Sequence, residues 1–262
     1  MSVEKMTPDY FDVTELSGEK VPREQIERLY HRYYWAGTHC YGKDVLEVAC
    51  GNGQGVGYLA GIAKSIIAGD CSEKILARAA AHYGDRFEFI RLDAQQLPFA
   101  DRSFDVVILF EAIYYIPEVE RFLDECNHVL RRNGKILIAT ANKDLYDFNP
   151  SPYSYKYYGI KELGSLLTSY QFDASFYGYV SMDGVSIREK MLRPVKKLAV
   201  WSNLIPKTMD GKRFLKRIVF GRLAEIPTEV KSGWRHYEEP ERLNSEEANI
   251  RHKVIYCIAE KK

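Results

Sequence analysis

The sequence has few cysteines, and they lie far apart. Five occur in 262 residues, with no C-x-x-C pair and no histidine at ligand spacing. An odd and scattered set argues against both a disulfide framework and a structural zinc site. We therefore expect a reduced protein, and the sequence assigns no metal-ligating residues. The five are Cys40, Cys50, Cys71, Cys126 and Cys257.

Long apolar runs are also missing from the sequence. The longest are a handful of residues, far short of the roughly 20 that a helix needs to cross a bilayer. The first residues, MSVEKMTPDYFD, contain no apolar core of a signal peptide. These absences lead us to expect a cytoplasmic protein.

The chain as a whole has no excess of charge of one sign, with 37 Lys and Arg against 36 Asp and Glu. This balance differs from that of a protein whose entire surface binds nucleic acid, and from that of a disordered acidic tail. A hydrophobic share of 46% is typical of a globular protein with a full core. At about 150 residues per domain, the length predicts one elaborated domain or one domain with an appendage.

Short apolar runs alternate with helical patterns between residues 44 and 141. The runs are nearly continuous, as in strands that are buried on both faces of a parallel sheet. The alternation predicts right-handed βαβ units and therefore an α/β fold with a doubly wound sheet. The predicted strands are 44–49, 65–69, 87–92, 104–110 and 135–140, and the predicted helices are 54–64, 72–83 and 118–132, the last ending at Asn133-Gly134.

Glycines and acids follow the ends of the first three predicted strands. Gly51, Gly53 and Gly55 make a tight turn, whose backbone can approach a ligand at a helix N-terminus. Asp70 ends the second strand, where an acid can accept both hydroxyls of a ribose. Asp93 ends the third, where a carboxylate can accept from an adenine amine. Each acid alone could be a helix cap or a solvated loop residue, but the three features together predict a nucleotide site.

These motifs resemble those of a known family. EVACGNGQG at 47–55, GD at 69–70, RLDAQQLPFADRSFDVVILFEAIYYI at 91–116 and FLDECNHVLRRNGKILIAT at 122–140 are similar to class I S-adenosylmethionine-dependent methyltransferases. The resemblance covers about residues 40–180. The main structural alternative, an NAD-binding Rossmann protein, more often reads G-x-G-x-x-G and lacks the stretch from LDA to SFD.

The resemblance implies a Rossmann-like sheet of seven strands and S-adenosyl-L-methionine as cofactor. Glu47 and the glycine turn would surround its methionine part, while Asp70 would hold the ribose. Asp93 and Ala94 would hold the adenine, with the Phe110-Glu111 pair beside the sulfonium. The full expected set is Tyr33, Glu47, Ala49, Gly51, Gly53, Gly55, Asp70, Cys71, Asp93, Ala94, Phe110 and Glu111.

A narrower resemblance concerns the acceptor. LSGEK at 16–20, QIERLYHRYYWA at 25–36, FEAIYYIPEVERFLDE at 110–125 and ATANKDLYDFNPSPYSYKYYGIKEL at 139–163 are similar to bacterial methyltransferases encoded with glycan-assembly enzymes. That group tends to carry a His in the last two stretches, where this sequence has Tyr115 and Ser154. The resemblance implies O-methylation of a sugar hydroxyl on a glycan, a glycolipid or a nucleotide-linked sugar.

Two other functions stay open from the sequence. One is a small-molecule N- or O-methyltransferase of secondary metabolism. The other is a binding protein that keeps the fold without catalysis, although Asp70 and Asp93 weigh against it because they are useful only if the nucleotide binds.

A sugar hydroxyl is a very weak acid, so its methylation favours a nearby general base. Glu111, at the end of the fourth predicted strand, is the first candidate, and Tyr115 could orient the acceptor. His31 could reach the pocket if the helix over 25–36 forms a lid. The alternatives are that Glu111 only contacts cofactor or loop amides, and that His31 belongs to an aromatic cluster in the core.

About 70 residues separate the last two predicted strands, 172–181 and 252–259. Within them, 185–222 contains eleven Lys and Arg against two acids, interleaved with apolar residues. The segment therefore has a net charge of +9, which leaves −8 on the rest of the chain. This basic amphipathic pattern predicts a helical insertion that rests on an anionic membrane surface or binds a phosphate-bearing substrate. The alternative is a helical cap with solvated lysines; RNA binding ranks lower, because no RNA-binding motif accompanies the segment.

The expected organisation has three parts. The acceptor would be a sugar-containing or other small molecule, with nucleic acid not expected as a partner. The protein would be cytoplasmic, with peripheral contact to the inner membrane face through 185–222. The parts are an N-terminal helical lid (1–39), the cofactor-binding domain (40–181 and 252–262) and the helical insertion (182–251).

Overall fold

The computed structural model describes residues 10–146, 148–151, 153–182, 223–234 and 236–262. Their strands are β1 (Lys20–Pro22), β2 (Asp44–Val48), β3 (Ser65–Asp70), β4 (Phe89–Arg91), β5 (Phe104–Phe110), β6 (Leu130–Ala141), β7 (Phe172–Ser181), β8 (Leu223–Glu225), β9 (Glu241–Arg242) and β10 (His252–Lys261). Their helices are α1 (Arg23–Cys40), α2 (Val56–Ala60), α3 (Glu73–Tyr83), α4 (Val119–Val129) and α5 (Ile160–Ser169).

Eight strands form one sheet in the order β4-β3-β2-β5-β6-β10-β7-β9. The pairs from β4 to β6 are parallel, whereas β10 runs antiparallel to both β6 and β7. The predicted doubly wound α/β sheet is therefore confirmed, with the seven expected strands and the two-residue β9 added at one edge.

Both faces of this sheet are covered, which explains the continuous apolar runs. Along β5, Val107 and Leu109 face the side of the sheet that α4 covers, while Val106 and Ile108 face the side of α1. Because the strand period is two, every residue of such a strand meets one layer or the other. The two layers bury the central strands, and the carboxyl ends of the parallel strands share one edge of the sheet.

Two predicted helix boundaries were wrong. The helix expected over 118–132 ends at Val129, and Leu130 already pairs with Phe104 in the sheet. Asn133, with φ +60°, lies within β6 near a register shift and does not cap the helix. The buried Leu130 is thus the first residue of β6 and not part of α4. The helix expected over 54–64 is limited to α2, which Gly61 follows directly.

The described part of the insertion packs on the N-terminal part and on the cofactor-binding domain. β8 pairs antiparallel with β1, and the Val230 amide donates to the carbonyl of Gln54 at 2.7 Å. Between 223 and 251, the described residues contain two short strands and no helix. The predicted basic helices fall on 185–222, which lies outside the described residues. No helix in the described ranges is long and apolar enough to span a bilayer.

Candidate functional site

A cleft of about 920 Å³ opens at the carboxyl ends of β2, β3, β4 and β5, with α1 along one wall. In open α/β sheets, ligands bind in this crevice, at the point where the strand order reverses. Here β2 lies between β3 and β5, so the cleft has one half over β3 and β4 and another over β5 and β6.

The turn after β2 is shaped so that only glycine fits. Gly51 and Gly53 have φ values of +58° and +76°, in the left-handed region that favours glycine. At Gly55, a Cβ atom would lie 1.8 Å from the Tyr33 ring. Gly51 lines the cleft, whereas Gly53 and Gly55 are absent from its lining and allow the turn to pack closely.

Asp70 joins the end of β3 to this turn. Its Oδ2 accepts from the Gly51 amide and its Oδ1 from the Ser72 amide, both at 3.0 Å. Burial raises the pKa of Asp70, while the Ser72 and Gly51 amides oppose this shift. Since a carboxylate offers about four acceptor sites, the fixed group retains capacity for a diol. Asp70 lines the cleft and is suited to hold a ribose.

The adjoining half of the cleft contains the other predicted nucleotide residues. Asp93 and Ala94 line it after β4, and Cys71 lines it beside Asp70. Asp93 is exposed, and its Oδ1 accepts from the Gln95 amide at 2.9 Å. The structure thus brings these residues together along one edge of the sheet.

Glu47 lies beneath the cleft, at the end of β2. Its Oε1 accepts from the Tyr33 hydroxyl at 2.7 Å, while its buried Oε2 has no hydrogen-bond partner among the described residues. Burial raises its pKa to about 7, although Tyr33 and Arg32 act in the opposite direction. A buried acceptor without a donor is costly, so the arrangement fits a ligand with a positively charged donor. The site therefore fits S-adenosylmethionine, which carries an ammonium group and a sulfonium.

Glu111 stands at the junction of the two halves. Its φ of +51° is in the left-handed region, as is that of Ala49 (+55°) at the end of the neighbouring β2. Such residues cost about 1–3 kcal/mol each and cluster at functional sites. Glu111 Oε2 accepts from the Tyr114 hydroxyl at 3.1 Å, and its amide donates to the Ala139 carbonyl at 2.8 Å. Glu111, Ala49 and the preceding Phe110 all line the cleft.

Tyrosines line the half of the cleft beyond Glu111. Tyr115 lines this wall, but its hydroxyl donates to Ser151 Oγ at 2.8 Å. Its ring lies 5.1 Å from that of Tyr10, whose hydroxyl donates to the Tyr115 carbonyl. Tyr155 lines the same half. Tyr115 is thereby held as part of the wall of this half rather than as a free acid or base.

The structure does not bring His31 into the cleft. Its Nδ1 is 2.9 Å from the Tyr256 hydroxyl and its Nε2 is 2.8 Å from the Glu238 carbonyl. The ring stacks on Tyr179 at 3.4 Å, and burial lowers its pKa to about 4. The prediction of His31 as a candidate base is therefore corrected. The second interpretation, an aromatic cluster in the core, describes its surroundings.

Among the cleft residues that sequence reasoning missed are three charged ones near α1. Arg32 Nη2 donates to Glu15 Oε2 at 2.6 Å, and both side chains line the cleft with Arg28. Burial alone would lower the pKa of Arg32, but the Glu15 carboxylate raises it. Helical spacing could have placed the two arginines on one face of α1. Nothing local could have joined them to Glu15, which precedes the helix.

Metal ligands are not assembled in this site. Across the part of the chain that the structure describes, no group of three or more His, Cys, Asp or Glu residues could hold a metal ion.

Comparisons with known proteins agree with this geometry. The family model described as "Methyltransferase domain" matches residues 46–138. A probable S-adenosylmethionine-dependent methyltransferase of Mycobacterium tuberculosis is 33% identical over 165 residues, covering 59% of this chain and 60% of that protein. Phthiotriol/phenolphthiotriol dimycocerosates methyltransferase 1 of Mycobacterium ulcerans is 37% identical over 134 residues, covering 48% and 47%. The chain thus spans less than two thirds of the length of these relatives.

A solved structure shows the same fold. The YcgJ protein from Bacillus subtilis superposes with a TM-score of 0.58 at 15% identity, over 89% of this chain and 99% of that one. At this identity, the likeness concerns the fold alone. The match of residues 46–138 to a methyltransferase domain and the likeness of the fold agree with each other.

Proposed function

We propose that the protein is an O-methyltransferase that uses S-adenosylmethionine. The observation that carries the proposal is the position of Glu111, a carboxylate between the nucleotide half and the tyrosine-lined half of one cleft. When bound, the cofactor would supply a methyl group activated on its sulfonium. A hydroxyl acceptor needs its proton removed, and Glu111 would receive that proton.

The residues around the glycine turn would hold the cofactor. Asp70, fixed by two backbone amides, would accept the ribose hydroxyls, and Asp93 would accept from the adenine. The buried Oε2 of Glu47, which has no hydrogen-bond partner among the described residues, would attract the positively charged end of the cofactor. Gly51 would let the backbone approach the ligand.

Glu111 would act as the base and Tyr114 as its positioning partner. Burial, together with the Glu111 charge, keeps the pKa of Tyr114 well above its ordinary value, so its phenol remains a donor. The hydrogen bond from Tyr114 to Glu111 Oε2 would hold the carboxylate in position. Tyr10 and Tyr115 narrow this half, which aligns the acceptor and excludes water.

We propose a sugar hydroxyl, on a glycan, a glycolipid or a nucleotide-linked sugar, as the acceptor. Tyr10, Tyr115 and Tyr155 offer aromatic faces and polar hydroxyls, which suit a ligand with both apolar C–H and polar O–H groups. The resemblance to methyltransferases encoded with glycan-assembly enzymes supports the same class. The basic composition of 185–222 agrees with a phosphate-bearing acceptor or with contact to the anionic inner face of a membrane.

A second candidate is a lipid or other small-molecule hydroxyl. The matches to a phthiotriol/phenolphthiotriol dimycocerosates methyltransferase and to a ubiquinone biosynthesis O-methyltransferase of Sinorhizobium medicae favour it. These names describe those proteins, and the tyrosine wall would accommodate a phenol as well as a sugar.

A labelled-methyl assay tests both proposals. The protein is incubated with methyl-labelled S-adenosylmethionine and separate pools of glycans, lipids, small phenols and RNA. The Glu111→Gln variant is the inactive control. Label in a glycan or glycolipid as an ether that resists mild base supports the sugar proposal. Label in a phenol or a sugar-free lipid supports the second candidate instead. Label in RNA overturns both acceptor proposals. A wild type that does not bind the cofactor at millimolar concentration overturns the enzyme proposal itself.

Membrane contact needs its own experiment. The full chain and a variant with residues 185–222 replaced by a short Gly/Ser linker are sedimented with vesicles of neutral or anionic phospholipid. Salt-sensitive binding to anionic vesicles, lost in the variant, supports peripheral contact. Equal sedimentation of the wild type and the variant contradicts membrane contact through residues 185–222.

A further inference from the structure

Two arginines one helical turn apart share a wall of the cleft. Arg28 and Arg32 lie four residues apart on α1, so their side chains occupy the same helix face. Both line the cleft, opposite the strand ends. The nearest carboxylate that acts on both is Glu15, whose pKa each arginine lowers although burial by itself would raise it. The wall therefore carries two positive charges and one negative charge.

The hydrogen-bonding capacity of the pair is not exhausted. Arg32, only 7% exposed, donates from Nη2 to Glu15 Oε2, and Gln25 occupies Glu15 Oε1. The Nε atoms of Arg28 and Arg32 are both buried without a hydrogen-bond partner among the described residues. Within those residues, the structure records no hydrogen bond or salt bridge to the Arg28 guanidinium. A partly buried cation in this state favours an anionic ligand.

Along this shared wall, Arg28 lies nearer than Arg32 to the acceptor half of the cleft. α1 runs from β10, where Lys253 Nζ donates to Glu24 Oε2 at 2.6 Å, to β2, where the Tyr33 hydroxyl donates to Glu47 Oε1 at 2.7 Å. Arg28 lies one helical turn closer than Arg32 to the β10 end of α1, and the charges of both arginines act on the Tyr256 hydroxyl of β10. β10 follows β6 in the sheet, on the side away from the nucleotide acids of β3 and β4. Arg28 thus belongs to the acceptor half, with Glu111 and the tyrosines.

We propose that Arg28 binds an anionic group, a carboxylate or a phosphate, on the acceptor. The inference rests on the proposed function and narrows its substrate class to acidic or phosphorylated sugars. Arg32 stays paired with Glu15, so Arg28 is the cation of this wall that is available for the acceptor. A planar guanidinium can bind either anion through two parallel hydrogen bonds. A neutral acceptor would leave the charge buried and unpaired, so Arg28 would also select against it.

The experiment measures binding to the protein saturated with S-adenosylhomocysteine. Calorimetry with D-glucuronate, D-glucose 1-phosphate and neutral D-glucose compares a carboxylate, a phosphate and no charge on one sugar. We expect at least tenfold tighter binding of an anionic sugar than of glucose, and loss of that preference in Arg28→Gln. Arg28→Lys keeps the charge without the planar fork and should lose part of the preference. Arg23→Gln, which removes an exposed arginine of the same helix, is the matched control and should behave as wild type.

The outcomes separate this inference from the proposed function. If the wild type does not bind S-adenosylhomocysteine, the proposed function fails before the sugars are tested. If Arg28→Gln weakens S-adenosylhomocysteine tenfold, Arg28 belongs to the cofactor and the inference is overturned. Equal binding of all three sugars by the wild type overturns it too. Between the two anions, the tighter one identifies carboxylate or phosphate as the group recognised.

Discussion

The Tyr33 hydroxyl donates a hydrogen bond at 2.7 Å to the Glu47 carboxylate, directly below the glycine turn of the cleft. The same tyrosine ring lies where a side chain at Gly55 would have to be. One residue of α1 thus fixes both the turn and the orientation of a buried acid. The acid keeps one oxygen without a partner among the described residues, which makes Glu47 the most informative position for mutation.

Glu47→Gln should stabilise the protein at pH 8 but not at pH 5. Burial raises the folded-state pKa of Glu47 to about 7, above the ordinary 4.5. The folded state therefore retains a proton that the unfolded state releases between those values, and stability falls as pH rises from about 4.5 through about 7. Removing the charge should recover on the order of 1–3 kcal/mol at pH 8. Thermal unfolding of both proteins across pH 5–8 measures it; a pH-independent difference contradicts the assignment.

Cofactor binding should depend on the same proton. Below about pH 7 the Glu47 carboxyl must lose its proton to receive a positively charged group. As pH decreases below this value, affinity for S-adenosylmethionine should fall by up to about tenfold per pH unit. Calorimetry between pH 5.5 and 7.5 checks this slope. Tyr33→Phe keeps the ring against Gly55 and removes the hydrogen bond that lowers the pKa of Glu47. The pH range in which affinity falls should therefore move to higher pH. A Glu47→Gln variant with the same slope as wild type would rule out Glu47 as its source.

Much of the cofactor half was predictable because it depends on local sequence. Buried strands read as continuous apolar runs, and the residue after each parallel strand must face the same edge. Asp70, Asp93 and Glu111 therefore meet in one cleft, as their positions at strand ends indicated. The end of α4 was missed because Asn133-Gly134 also fits a bulge within β6, and only the pairing of Leu130 decides between the two.

The acceptor half was less predictable because its contacts are distant in sequence. Tyr115 donates to Ser151 Oγ, and Ser154 Oγ donates to the Ser151 carbonyl at 2.6 Å. The two positions where the glycan-associated group tends to carry His thus meet at one serine, which no spacing reveals. His31 was misplaced for a related reason. A helical stripe does not say which face meets the cleft and which meets Tyr179 on β7.

Glu111→Gln should abolish turnover while leaving cofactor binding intact. The amide cannot take a proton from a hydroxyl, and loss of a general base lowers kcat by about 10²–10⁴-fold. The amide retains the size of the side chain and an acceptor for the Tyr114 hydroxyl, so the S-adenosylmethionine Kd should change less than about threefold. Single-turnover kinetics and calorimetry measure the two quantities. Full activity of this variant would show that Glu111 only positions ligands.

Asp70→Asn should weaken cofactor binding while leaving turnover close to that of the wild type. The amide loses one acceptor oxygen and the charge while the Gly51 and Ser72 amides still require partners. Affinity for S-adenosylmethionine should fall about 10–100-fold, since hydrogen bonds to charged groups contribute about 1.5–3 kcal/mol. At saturating cofactor, kcat should stay near wild type. Asp93→Asn, at an exposed position, should lose less affinity; a larger loss there would reverse the assigned ribose and adenine roles.

His31→Phe should make the protein less sensitive to acid without removing activity. Burial lowers the folded-state pKa of His31 to about 4, below the ordinary 6.5, so the unfolded state binds a proton that the folded state does not. The stability that depends on neutral His31 is present above pH 6.5 and is lost as pH falls towards about 4. Phenylalanine cannot titrate, and it keeps the stack on Tyr179 while leaving the Tyr256 hydroxyl and the Glu238 carbonyl without their partner. The variant should therefore be about 1–3 kcal/mol less stable at pH 8 and show a smaller further decrease at pH 5 than wild type. Denaturant unfolding at pH 5 and pH 8 measures the stability, and turnover at pH 8 measures the activity. A loss of turnover in a folded variant would indicate that His31 takes part in the reaction.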